Sequence, residues 1–397
     1  MNKIDELIAQ YCPNGVEYKR LEDIFKISRG RVMSKEYLSQ NKGKYPVYSS
    51  QTANNGQIGK ISTYDYYGEY LTWTTDGANA GTIFYRNEKF SITNVCGLLK
   101  ANSFEILPKF AYYVLSITMK SFVSSGMGNP KLMSNIVAKI QIPVPPLPVQ
   151  QEIVNILDKF TELEAELEAE LEARRKQYEY YRNQLLTPVE VDGKWLMNGK
   201  EVEWKIISEI CKNIVSGGTP LTSKMEYYNG NIPWLRTQEV DWVDIIDTSI
   251  KITEEGLNNS SAKWIPANCV IVAMYGATAA KVAINKIPLT TNQACCNLEI
   301  DEKQANYRYV YYWLCNEYKN LKALGEGSQS NINSQKIKKY KIPIPPLSEQ
   351  ERIVEILDKF DRLVNDISEG LPAEIEARRK QYEYYRGKLL NFKKVNE

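Results

Sequence analysis

The chain has 397 residues, 50 Lys and Arg against 48 Asp and Glu, a net charge of +2, and no histidine. That length holds two or three domains, and the missing histidine excludes Ser-His and Cys-His catalysis and any His-containing metal site. No apolar run is long enough to cross a bilayer, and residues 1–6 lack the apolar core of a signal peptide, so a cytoplasmic protein with its seven cysteines reduced is expected.

Familiar nucleotide motifs are missing as well. The run Gly56-Gln57-Ile58-Gly59-Lys60 has the wrong spacing for a phosphate loop, and no dinucleotide fingerprint occurs. Glu203 and Lys205 lack the upstream acid that would make a nuclease centre. Cys295-Cys296 is poor geometry for a shared metal and reads as apolar strand.

In chain order, residues 1–141 read as a globular domain. Short β-prone runs such as 81–85 alternate with Gly, Asn and Pro turns, and a helical stretch falls at 110–120. Residues 142–187 read as one long helix. Pro145-Pro146-Leu147-Pro148 stops the preceding element, and Pro148 suits a first helical turn. Apolar residues at Ile153, Leu157, Phe160, Leu163, Leu167, Leu171, Tyr178, Tyr181 and Leu185 step by three and four, a seam for another helix. Residues 149–186 would span roughly 57 Å. Residues 163–173 repeat Leu-Glu-Ala-Glu, and the glutamates form a solvated face.

Residues 188–341 resemble the first domain in composition, with a strand at 269–274 and helix at 307–322. Residues 342–397 form a second helical part. Ser348 and Glu351 have capping-box spacing, and Ile353, Leu357, Phe360, Tyr382 and Tyr385 are its seam. Gly370 and Pro372 predict a kink or short break. Both globular parts are read as α/β (α+β) domains with a twisted, largely antiparallel sheet.

The helical parts are copies. Residues 142–160 and 342–360 agree at 13 of 19 positions, and the eleven residues 172–182 recur unchanged as 376–386. The offset grows from 200 to 204, so the second copy carries four extra residues. The globular parts repeat faintly, as in Gly77-Ala78-Asn79-Ala80 against Gly276-Ala277-Thr278-Ala279, and Thr93-Asn94 against Thr291-Asn292. Near-identity in one part and divergence in the other suggests two copies reading different things on one scaffold.

These features resemble the specificity subunits of type I restriction-modification enzymes. The twice-occurring Pro-Pro-Leu…Gln…Ile-Val…Leu-Asp helix carries the resemblance, with Ser216-Gly217-Gly218-Thr219-Pro220, Ile232-Pro233-Trp234 and Thr291-Asn292-Gln293-Ala294 in the second domain. It implies two target recognition domains, 1–141 and 188–341, separated by two antiparallel helices, 142–187 and 342–397. It implies that each domain reads half of a bipartite asymmetric site in double-stranded DNA. The implied partners are two modification (methyltransferase) subunits, which bind S-adenosylmethionine, and restriction subunits, whose translocase and nuclease use ATP and Mg. On this resemblance the chain binds no cofactor, metal or membrane and catalyses nothing. A twin-domain scaffold that binds no DNA is the competing reading.

Base edges are read by Arg or Lys on guanine and by Asn or Gln on adenine. The candidates are Ser49, Ser50, Gln51, Asn54 and Asn55 in the first domain, and Thr219, Lys224, Arg236, Thr237 and Gln238 in the second. Segments 126–131 and 325–333 come next. Lys42, Lys44, Lys281 and Lys336 are phosphate candidates. The i, i+3 tyrosines Tyr178 and Tyr181, repeated as Tyr382 and Tyr385, suit helix packing or subunit docking, and Arg174, Arg175, Arg378 and Arg379 a neighbouring acidic helix or a partner.

Overall fold

The structure is a computed structural model and describes residues 3–124, 128–325, 331–366 and 368–395. Its contacts divide into two compact units, residues 1–168 with 375–397, and residues 169–374.

In the first unit a six-stranded sheet runs in the order Phe25–Arg29, Cys96–Ala101, Tyr66–Thr74, Ile83–Ile92, Lys42–Tyr48, Gln57–Ile61. All pairs are antiparallel except Lys42–Tyr48 against Ile83–Ile92. Tyr66–Thr74 starts with alternating exposure and ends with five consecutive buried residues, because there both faces of the sheet are covered. The helix Pro108–Thr118 packs against Tyr66–Thr74 and Ile83–Ile92. Proline opens its first turn, and Phe110, Ala111, Tyr113, Val114 and Leu115 are buried. Trp73 is fully buried, its indole N–H donating to Leu132 O at 3.1 Å. Gly97 makes room for that ring, since a Cβ there would lie 2.2 Å from it.

The second unit repeats this plan with one break. Ile83–Ile92 is a single ten-residue strand. Its counterpart at offset 199 is divided into Val282–Asn285 and Leu289–Thr291. Pro288 falls in the gap, where it removes a ladder N–H. The sheet therefore separates into a five-stranded and a four-stranded piece. Here too the pairing is antiparallel except at Tyr228–Leu235 with Leu289–Thr291 and at Asp244–Ile245 with Val282–Asn285. Cys295 and Cys296 are fully buried strand residues, as their apolar setting suggested.

The forty-residue helix Leu147–Leu186 forms as expected. Its second-copy counterpart is two helices, Leu347–Asn365 and Leu371–Leu389. The break lies where Gly370 and Pro372 predicted it. A Cβ on Gly370 would sit 2.4 Å from Arg362 O, so the close chain approach there requires glycine. The capping box is not formed. The helix already starts at Leu347, Pro346 holds the cap position, and no side chain caps it.

Glutamine makes the junction instead. Gln150 is wholly buried, accepts from Leu107 N at 2.8 Å and donates to Glu105 O and Pro145 O, both at 2.6 Å. Gln350, equally buried, accepts from Asn306 N and donates to Pro345 O, both at 2.8 Å. Two turns on, Asp158 accepts from Lys109 Nζ at 2.7 Å and Tyr113 OH at 2.5 Å. Asp358 accepts from Arg308 Nε at 2.8 Å and Tyr312 OH at 2.5 Å. Ile153, Leu157, Ile353 and Leu357 are fully buried in the core clusters of the domains they follow, which also take in Leu389 in the first unit and Tyr178 and Leu185 in the second.

The seam is aromatic. In the first unit Phe160 packs on Tyr382 and Tyr385 at 6.2 and 5.7 Å, and Arg379 reaches Glu164 and Glu168 at 2.6 and 2.5 Å. In the second, Phe360 packs on Tyr178 and Tyr181 at 6.2 and 5.5 Å. Both pairs run antiparallel. Leu163 is 46% exposed and leaves the predicted seam to Glu164, Leu167 and Leu171, while most glutamates of 163–173 face solvent.

Replacing Gln150 or Gln350 by Met should strand buried backbone groups and cost about 3 kcal/mol. Urea unfolding checks this, and a loss under about 1 kcal/mol would mean that the junction does not depend on the amide.

Candidate nucleic-acid interface

In each unit the strand of the parallel pair ends in a polar loop. Residues 49–56 follow Lys42–Tyr48, and residues 236–240 follow Tyr228–Leu235. Two backbone hydrogen bonds beside the loops correspond. Thr93 N donates to Tyr48 O and Asn292 N to Leu235 O, both at 2.9 Å. Leu132 N donates to Thr75 O and Ile332 N to Met274 O, again at 2.9 Å. Arg236, Thr237 and Gln238 therefore occupy the place that residues 49–56 hold in the first unit, whereas Thr219 and Lys224 lie outside that loop, in the segment after the strand Cys211–Ser216. Segments 126–131 and 325–333 reach the same edge of each unit through Leu132 and Ile332, although residues 125–127 and 326–330 lie outside the described residues.

Within the first loop the candidates separate into braces and free groups. Ser49 Oγ lies 2.8 Å from Thr93 Oγ1. Ser50 Oγ donates to Val95 O and accepts from Thr75 N at 2.9 Å and Asp76 N at 3.3 Å. The Gln51 amide donates to Gln57 O at 2.7 Å. These three side chains shape the loop. Asn54 and Asn55 are exposed, and no hydrogen bond to either side chain occurs among the described residues. Asn54, Asn55 and Gly56 have φ of 49, 54 and 83°, three left-handed residues in succession. Asparagine tolerates that region better than other side-chain-bearing residues.

Below this turn lies Arg86, 2% exposed, whose Nη2 donates to Asn55 O at 2.7 Å. Its guanidinium carbon stands 3.5 Å from the Tyr48 ring centroid and 4.6 Å from that of Phe84, a cation-π arrangement. Burial lowers the Arg86 pKa from its ordinary value, partly offset by Tyr48, Cys96 and Glu88. Burial, with the bond to Glu88, pushes the Tyr48 hydroxyl up to about 12. Arg86 was not among the sequence candidates. One signal was available: it shares strand parity with Phe84 and Phe90, an inward position for a charge.

The second loop is braced differently. Glu239 accepts from Arg236 N at 3.3 Å and Ser249 N at 2.8 Å, and Thr278 Oγ1 donates to Thr237 O at 2.7 Å. Thr237 is buried and Gln238 exposed. Among the described residues, Arg236 Nε is buried without a hydrogen-bond partner. Thr219 Oγ1 donates to Gln293 Oε1. Lys224 contacts Tyr227 OH at 3.0 Å.

Of the phosphate candidates, Lys281 lies beside the second loop, through Asp241. Lys42 and Lys44 are exposed at the start of the strand whose far end carries Ser49. Lys281 pairs with Asp241 at 2.5 Å and lies 4.4 Å over the Trp242 ring. Lys336 Nζ donates to Leu324 O at 2.7 Å.

The profile of the family described as type I restriction modification DNA specificity domain matches residues 13–173 and again 199–377. The specificity subunit of the Escherichia coli type I restriction enzymes EcoR124I and EcoR124II is 42% identical over 301 residues, 72% of each chain. A Mycoplasma pneumoniae protein named as a type I specificity subunit is 34% identical over 376 residues, 94% of this chain and 97% of that one. The crystal structure of a type I S subunit from M. genitalium shares the fold at 16% identity, with a TM-score of 0.61 over 95% of this chain and 96% of that one. The chain thus belongs to the type I restriction-modification DNA specificity family. It is a non-catalytic DNA-recognition component of a type I restriction-modification system.

Replacing Arg236 by Met removes a buried, unpartnered donor, so thermal stability should hold or rise while DNA binding by the assembled complex weakens. A lower melting temperature would identify Arg236 as a structural brace instead.

Proposed function

We propose that the loops at 49–56 and 236–239 each read one half of a bipartite, asymmetric site in double-stranded DNA. The observation carrying this is their equivalence. The same place in two copies of one fold presents Asn54 and Asn55 in the first, and Arg236 and Gln238 in the second. Asparagine and glutamine suit adenine, and arginine suits guanine. Two different half-sites follow from one architecture.

The rest of the complex supplies the chemistry. Two modification subunits, with S-adenosylmethionine, dock on the helical parts and methylate adenine; restriction subunits use ATP and Mg. The exposed tyrosines Tyr180 and Tyr384, which repeat in both copies, are the docking candidates. The whole assembly is cytoplasmic. DNA affinity is mostly phosphate neutralisation. Residues 1–141 hold seventeen basic against eleven acidic side chains, but 188–341 hold eighteen against seventeen. The isolated chain should therefore bind DNA more weakly than about 10 nM at physiological salt, and titration by fluorescence anisotropy checks it.

The direct test uses the complex assembled with its modification subunits on a randomised duplex library. Asn54→Gly with Asn55→Gly keeps the left-handed turn and should change the first half-site alone. An unchanged motif would contradict the assignment. Inserting one Leu-Glu-Ala-Glu unit in 163–173 lengthens the helix by about 6 Å and should shift the unread gap while leaving both half-sites as they were. An altered half-site would refute the helical ruler.

A further inference from the structure

We propose that Arg86 is the positioning residue of the first half-site: its guanidinium holds Asn54 and Asn55 in the conformation that meets the base edges. The proposal rests on the recognition role given above to the loop 49–56.

Arg86 is an unexpected residue for its place. It is 2% exposed, and no carboxylate lies within ion-pair distance of it among the described residues. The nearby Glu88 instead takes the Tyr48 hydroxyl at 2.5 Å. A buried charge is expensive, and an apolar side chain of similar volume usually serves a core as well or better. What Arg86 does that an apolar residue cannot is bond the loop. Its Nη2 donates to Asn55 O at 2.7 Å while its Nε lies 3.3 Å from Thr72 Oγ1 on the central strand. One rigid planar group thus ties the sheet to the middle of a run of three left-handed residues, 54–56. Fixing the Asn55 carbonyl fixes the peptide plane between Asn55 and Gly56, which anchors the left-handed turn that carries both asparagines. Gly56 completes the fit, since a Cβ there would stand 3.2 Å from Nη2 and 3.3 Å from Gln51 O.

The second copy shows that this is not a general requirement of the fold. At offset 199 the equivalent strand position is Asn285, also fully buried. Its amide donates to Pro266 O at 2.7 Å and Ile287 O at 2.9 Å, neither of them in the loop 236–239. Glu239 braces that loop from within. A change at Arg86 should therefore touch one half-site, with the other as a control inside the same molecule.

The experiment compares the full complex carrying wild-type chain, Arg86→Met, Arg86→Lys, or Asn54→Gly with Asn55→Gly. Methylated motifs are read from a randomised library, alongside the melting temperature of each complex. R86M should lose about tenfold or more discrimination at the first half-site, keep the second strict, and melt like wild type. R86K keeps the charge against Tyr48 but loses the fork, and should relax the same half-site less. If R86M does not accumulate, R86K decides: a relaxed first half-site supports the proposal, and a strict one overturns it. A lower melting temperature with both half-sites strict makes Arg86 merely structural and overturns it too. If the asparagine double variant alters the motif and R86M does not, the positioning role fails and the loop assignment stands. If neither alters it, the loop assignment itself has failed.

Discussion

The buried glutamine at the head of each helical part is the interaction on which the rest depends. Gln150 and Gln350 satisfy backbone groups of the domain and of the proline turn at once, so each domain and the helix after it start from one fixed point. A pair of groups further along the helix, Asp158 with Lys109 and Tyr113, or Asp358 with Arg308 and Tyr312, fixes the rotation about that point. A domain that reads DNA must present its loops at a set angle to whatever frames it. Two bonded points on a stiff helix provide that, where a flexible linker would not.

Beyond that junction the copies are free to differ, and they differ where the parallel strand pair ends. One loop is a left-handed asparagine turn stiffened from below by a buried arginine. The other is a short turn stiffened by its own glutamate, with an arginine whose Nε has no partner among the described residues. Pro288 has even divided a strand that is continuous in the first copy without disturbing the parallel pair beside the loop. The scaffold constrains the position of the loop and leaves its chemistry open.

Much of this was legible in the sequence because it is written in period and repetition. The long helix, the break at Gly370 and Pro372, the buried Cys295-Cys296 strand and the matching aromatic seams all follow from local pattern. The capping box failed because the helix starts at Leu347, one residue before Ser348, so Pro346 takes the cap position and Ser348 falls inside the first turn. Leu163 failed because a helix seam of 3.6-residue period drifts off a strict four-residue repeat, leaving Glu164 inside and Leu163 out. In the loop 49–56, composition singled out the right segment but could not separate Ser49, Ser50 and Gln51, which brace it, from Asn54 and Asn55, which project. Arg86 escaped because its partner is a backbone carbonyl thirty-one residues away.

The most direct test of the account is the pattern of adenine methylation across the genome of cells expressing this chain with its modification subunits, compared with cells lacking it. The account predicts one new motif with two specified parts and a fixed unread gap between them. A single continuous motif, or no new motif from a complex that assembles stably, would contradict it.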